Sequence, residues 1–166
     1  MLDADALNCV HLKRWQEVIL QSRLTAGFSP ELSRKFLRRA ARLLSDDRAL
    51  CWSDRGSLNE VIAKLATTAS LVIWNSWDEV SAEAGAFLDE CSAVLLRHAP
   101  ELAEPIDFGF AYLFEDLARS PVEGPNPGVA VAIAKRLDSI EALSHDENVK
   151  SWVTHARQEL ARGAAA

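Results

Sequence analysis

The feature that most constrains the fold is residues 57–98, a run in which apolar residues recur at helical spacing and no proline occurs. Ser57 followed by Glu60 is a capping-box pattern, which predicts that a helix begins there. The apolar stripe that follows is wide enough for a buried position. The stripe comprises Leu58, Val61, Ile62, Leu65, Ala69, Val72 and Ile73.

A second cap signature lies in the middle of this run. Asn75 and Ser76 are followed by Glu79, three residues after Ser76. Because such a pattern normally marks a helix start, we expect a break or sharp kink within residues 74–78. With this break, residues 57–98 are predicted to form two helices that pack as a hairpin at the centre of a bundle.

The remaining chain carries the same helical spacing, with helices predicted over residues 6–26, 30–44, 105–119, about 127–143 and about 147–163. Pro100 should end the hairpin, since the residue before a proline is pushed out of the helical region. Ser144 with Glu147 predicts a capping box for the last helix. The fold class predicted is all-α, a single-domain antiparallel bundle of six to seven helices over residues 1–166. The predicted core includes Leu65, Val72, Phe87, Cys91, Leu95, Leu113, Ile133 and Trp152.

Composition is that of a globular chain, with 49% hydrophobic and 25% charged residues. No segment approaches the roughly 20 apolar residues that cross a bilayer, and acids stand where a secretory signal would carry cations. We therefore predict a cytoplasmic protein without a membrane partner.

Cys9, Cys51 and Cys91 share no close spacing, which favours small buried hydrophobes over a disulfide framework or a zinc site.

The charge of the chain is unevenly distributed. Residues 1–56 hold ten Lys and Arg against seven Asp and Glu, whereas residues 57–166 hold eight against seventeen. Within residues 77–123, eleven acids face only Arg97 and Arg119. Such a field attracts cations and repels nucleic acid.

Residues 23–44 resemble a helix-turn-helix, with a glycine turn at Gly27, a serine-capped second helix from Pro30 and several arginines. The resemblance implies contacts between the arginines of residues 30–44 and phosphates. The pattern departs at Ser33, where a recognition helix normally buries an aliphatic residue. Two alternatives stand beside nucleic-acid binding: a solvated cationic face, and a basic helix that pairs with acids of residues 77–123 in the same or a second copy.

The sequence indicates no catalytic residue, no metal ligand set and no cofactor. His11, His98, His145 and His155 lie in no metal-binding spacing, and no glycine-rich phosphate loop or nucleophile motif occurs. An enzyme whose site is assembled from distant residues remains an alternative.

The hypothesis that these observations favour is a small acidic protein that binds a basic protein partner, as an immunity- or antitoxin-type neutraliser does. Trp74 and Trp77 flank the expected break and cannot both easily face one core, and an exposed tryptophan rimmed by acids is typical of a binding hot spot. A homodimer is left open as well. The predicted partner surface comprises Trp77, Asp78, Glu79, Glu83, Glu115 and Asp116.

Overall fold

The computed structural model describes residues 29–46, 55–118 and 127–164, with the side chains of residues 29–46, 65–97 and 127–162. These residues form four helices and no strand: α1 (Pro30–Leu44), α2 (Arg55–Ala118), α3 (Pro127–Leu143) and α4 (Glu147–Ala164). The all-α prediction is confirmed for them, whereas the count of six to seven helices is not supported. The helix predicted over residues 6–26 lies outside the described residues.

Helix α1 begins and ends where the sequence predicts. Ser29 is extended and Pro30 takes the first helical position, where its missing amide hydrogen costs nothing. The inward side of α1 is fully buried, with exposed fractions of 0–1% for Ser33, Phe36, Leu37, Ala40 and Leu44.

Helix α2 runs without interruption through both predicted helix ends. It begins at Arg55, two residues before Ser57, and continues through residues 74–78 and through Pro100 and Pro105. Because neither polar residue there caps a helix, the predicted break at residues 74–78 is wrong, whereas the sharp kink predicted as its alternative stays a prediction. Asn75 Nδ2 donates to the carbonyl of Leu71 at 2.7 Å, and Ser76 packs inside, 5% exposed.

The flanking helices α1 and α3 run in the same direction as the central part of α2. Along α1, Arg34 contacts residue 79, Arg38 contacts residue 83, and the carbonyl of Leu44 accepts from Arg97. Along α3, Gly128 lies against Trp77 and Arg136 contacts Gly85. The order of contacts is the same on both sides, so the predicted antiparallel arrangement does not apply to these two pairs.

These contacts require that α2 bends. In a straight helix residues 77 and 118 would be about 60 Å apart, yet Gly128 touches Trp77 and only ten residue steps separate residue 118 from Gly128. Ten steps reach at most about 36 Å. A bend therefore lies between Trp77 and Ala118, the span that contains Pro100 and Pro105, and proline is a common cause of helix kinks. The short connection from Leu44 to Arg55 likewise requires a bend between Arg55 and Arg97.

Helices α3 and α4 are joined by residues 144–146 and pack against each other. Asp146 caps α4, since its Oδ1 accepts from the backbone amides of Asn148 at 2.8 Å and Val149 at 3.1 Å. The predicted Ser144–Glu147 capping box is wrong: Ser144 Oγ accepts from the amide of Asp146, one residue outside the helix. Across the pair, Arg157 contacts Asp138 at 2.5 Å and Glu141 at 2.6 Å.

The core lies around α2, which contacts all three other helices, while α1 contacts neither α3 nor α4 within the described residues. The core prediction is confirmed for Leu65, Val72, Phe87, Cys91, Leu95 and Ile133, all at most 4% exposed. Trp152 is partly buried and packs against the core. The side chain of Leu113 lies outside the described residues.

Candidate protein-binding surface

The contact between α1 and α2 joins basic residues of α1 to acidic residues of α2. Arg38 Nη2 lies 2.6 Å from Glu83 Oε1, and Arg34 Nε donates to the backbone carbonyl of Glu79 at 3.0 Å. The Glu83 side chain is 13% exposed. Burial acts to raise the pKa of Glu83, but the hydrogen bond from Arg38 and the charges of Arg38 and Arg34 lower it below its ordinary value of 4.5. The internal pairing that the sequence left open therefore occurs within one chain.

The contact between α3 and α2 is held by Arg136, to which the sequence assigned no role. Its Nη1 donates to the carbonyl of Ala132 at 2.7 Å, and its Nη2 donates to the carbonyl of Gly85 at 2.8 Å and lies 2.9 Å from Asp89. The Arg136 side chain is 13% exposed. Spacing did not single out Arg136, because the same helix also carries Lys135, Asp138 and Glu141.

Trp77 lies between α2 and α3 and packs against the core while remaining partly exposed. A Cβ atom at Gly128 would lie 2.3 Å from Trp77 Nε1, so the glycine permits the first turn of α3 to approach the indole closely. Trp77 is therefore half-buried at a helix junction, with an edge that a partner could still contact.

The structure describes the side chains of four of the six predicted partner residues, Trp77, Asp78, Glu79 and Glu83. Asp78 and Glu79 are exposed on α2, whereas Glu83 is mostly covered and paired with Arg38. Glu115 and Asp116 belong to α2, but their side chains lie outside the described residues. The described part of the predicted surface consequently reduces to Asp78, Glu79 and the exposed edge of Trp77.

Between its contacts with α1 and α3, helix α2 presents a row of exposed residues that we name the α2 outward stripe. The stripe follows helical spacing and combines carboxylates with short side chains. Its members are Asn75, Asp78, Ala82, Ala86 and Asp89. Asp89 is 71% exposed although it pairs with Arg136.

Charges nearly balance where side chains are described. Residues 29–46, 65–97 and 127–162 hold eleven Lys and Arg against twelve Asp and Glu. In contrast, residues 98–126 hold six acids and a single base, Arg119. Nearly all the net charge of −6 therefore comes from residues 98–126.

The outward side of α1 carries four exposed basic residues, Lys35, Arg38, Arg39 and Arg42, which we name the α1 basic face. Lys35 pairs with Glu31 on the same helix at 2.6 Å. Ser33, where the helix-turn-helix pattern departs, is buried, and its Oγ finds no hydrogen-bond partner among the described residues.

The described residues contain no group of three or more His, Cys, Asp or Glu that could hold a metal ion. Cys91 is fully buried, and this burial raises the pKa of its thiol well above the ordinary value, although Arg136 acts in the opposite direction. The neutral thiol is a poor nucleophile. Across residues 29–46, 55–118 and 127–164, no helix has an apolar stretch long enough to span a bilayer.

No protein-family model matches the chain, and neither does any curated protein or any solved structure.

Proposed function

We propose that this protein acts by binding a basic protein partner, with the acids of residues 101–123 attracting the partner and the α2 outward stripe offering part of the contact. The observation that carries the proposal is the charge distribution. Arginines of α1 and α3 neutralise Glu83 and Asp89, whereas residues 101–123 hold six acids against one base. An excess of one sign in one region accelerates encounter with a partner of the opposite sign.

In this proposal Glu115 and Asp116 attract the approaching partner electrostatically, and Trp77 holds the bound partner in place. Exposed carboxylates influence mainly the association rate, and their effect fades as salt screens charges beyond about 8–10 Å. A partly buried indole at an interface influences mainly the dissociation rate, and its truncation costs about 2 kcal/mol or more where it is a hot spot. An immunity- or antitoxin-type neutraliser in the cytoplasm, covering the cationic surface of a toxin, is one protein of this kind.

The test begins with the whole chain as bait and identification of the captured protein by mass spectrometry. The association rate of that protein is then measured with the Glu115→Gln/Asp116→Asn double variant at low and at physiological salt. The matched control is Glu31→Gln/Glu147→Gln, which removes the same charge from carboxylates paired within their own helices. We expect slower association at low salt for the first variant only. Equal rates for both variants would contradict the steering role.

A second candidate, nucleic-acid binding through residues 30–44, is favoured by the exposure of the α1 basic face. Against it, Arg38 is paired with Glu83 and Arg34 with the Glu79 carbonyl. Salt-dependent retention on heparin that is lost in Arg39→Glu/Arg42→Glu would support this candidate. The enzyme with a dispersed site stays an untested alternative.

A further inference from the structure

The α1 basic face and the α2 outward stripe lie side by side on the same side of the molecule. Their common border is the Arg38–Glu83 ion pair. At about 100° per residue, Lys35 and Arg42 lie further outward around α1 than Arg38, and Asp78 and Ala86 lie further outward around α2 than Glu83. All four are exposed. A row of net positive charge, which includes Glu31 beside Lys35, and a row that carries the carboxylates of Asp78 and Asp89 therefore run next to each other along two parallel helices.

Such a pair of rows is self-complementary. Rotation of a second copy by 180° about an axis that runs parallel to α1 and α2, just outside the molecular surface above the border between them, sets each basic row against the acidic row of the other copy. This is the isologous arrangement of a two-fold dimer, in which one patch meets itself. We propose that the protein forms this dimer, with the α1 basic face of each copy docked on the α2 outward stripe of the other. The dimer uses part of the surface in the proposed function and so competes with the basic partner.

The register of the dimer follows from contacts within one chain. Arg34 contacts residue 79 and Arg38 contacts residue 83, a constant separation of 45 positions. Rotation about an axis parallel to the helices preserves the level of each residue along them. Lys35 of one copy is then level with about residue 80 of the other and close to its Asp78. Arg42 approaches Asp89, which is 71% exposed although Arg136 pairs with its Oδ1.

The structure already contains an example of the chemistry that the dimer needs. Arg34 and Arg38, one helical turn apart, bind the carbonyl of Glu79 and the carboxylate of Glu83, so α2 accepts a basic helix in this register. Ala82 and Ala86 have short side chains, which permit a second basic helix to come close to the stripe. Exposed ion pairs are weakened by salt, and the dimer should therefore dissociate as ionic strength rises.

The experiment is sedimentation equilibrium of the whole chain at low and high salt, with Lys35→Glu and Asp78→Lys as charge-reversal variants. Each variant alone should dimerise at least about tenfold more weakly, because each places like charges opposite one another. An equimolar mixture should regain the dimer, since in the heterodimer the two reversed side chains face each other at one contact and the native pair meets at the other. Lys150→Glu is the matched control, as it also removes a lysine paired within its own helix but lies on α4, outside both rows.

A monomeric wild-type chain at low salt would overturn the proposal, and so would variants that do not complement each other when mixed. Circular dichroism of each variant verifies that it is folded, and Arg42→Glu replaces Lys35→Glu if the latter is not. A chain that is monomeric throughout yet binds a basic partner would remove the dimer and leave the proposed function intact. If the chain binds no basic partner while the dimer forms and the two variants complement each other, the proposed function falls and the dimer stands.

Discussion

Replacing Gly128 by alanine should destabilise the protein by about 1–3 kcal/mol, the usual cost of overpacking a well-packed contact. The new Cβ would lie 2.3 Å from Trp77 Nε1, 3.1 Å from Cδ1 and 3.2 Å from Cε2. Favourable contacts between such atoms are about 3.5–4.0 Å long. The indole must therefore retreat by on the order of 1 Å from a site where it packs against the core.

Once the indole is removed, the same substitution should raise the free energy of unfolding instead of lowering it. In a Trp77→Ala background the clash disappears, and alanine in a helix is favoured over glycine by roughly 0.5–1 kcal/mol. A matched control is Gly85→Ala, whose Cβ would lie 3.6 Å from Arg136 Nη2, an ordinary contact; we expect no loss of stability there.

The assay is urea denaturation followed by far-ultraviolet circular dichroism, which does not depend on the tryptophan that is removed. The four chains of the cycle, wild type, each single variant and the double variant, give the coupling free energy directly. If Gly128→Ala costs as much without Trp77 as with it, the indole is not the group that the glycine accommodates.

Two further predictions concern the core and the α1–α2 contact. Leu95→Ala should lower the free energy of unfolding by about 2–5 kcal/mol, because Leu95 is fully buried, whereas Leu143→Ala, at a side chain 64% exposed, should change it by at most about 0.5 kcal/mol; similar losses in urea denaturation would show that the core is misplaced. Because the pKa of Glu83 is lower in the folded chain than its ordinary value of 4.5, its contribution to stability is complete above 4.5. The contribution is lost as the pH falls from 4.5 through the lower pKa of the folded chain. Chemical denaturation between neutral pH and about 3 should show a shallower loss of stability for Glu83→Gln than for the wild type, and an unchanged pH profile would contradict the ion pair.

Local sequence signals predicted those parts of the fold that depend on neighbouring residues. The start of α1 follows from the proline at its first position, although Ser29 makes no side-chain capping hydrogen bond, and the buried stripe of α2 follows from helical spacing. The same signals misled at Asn75 and Ser76, where polar residues that suit a cap instead bonded to a carbonyl one turn back or packed inside. A cap pattern cannot tell these outcomes apart, because packing against other helices decides between them.

The candidate surface was harder to predict because its charged residues pair with residues that are far away in the sequence. Arg38 and Glu83 are 45 residues apart, and Arg136 and Gly85 are 51 residues apart. Only the parallel course of α1 and α3 along α2 brings these groups together, and spacing within one helix carries no information about it. The sequence could therefore count the acids of residues 77–123 but could not show which of them α1 and α3 had already neutralised.

The parallel course of α1 and α3 along α2 also aligns the peptide dipoles of these two helices, so that the fractional positive charges at their N-termini, Pro30 and Pro127, lie at one end of the central part of α2. Gly128, in the first turn of α3, touches Trp77, which sets Asp78 and Glu79 at the level of that end, where negative charge is favoured. At the opposite end Arg97 donates to the carbonyl of Leu44, the last residue of α1, where positive charge is favoured. The carboxylates at one end and the guanidinium at the other complement the fractional charges that α1 and α3 carry at those ends. The exposed acids of α2 thus contribute to holding the helices side by side even when no partner is bound.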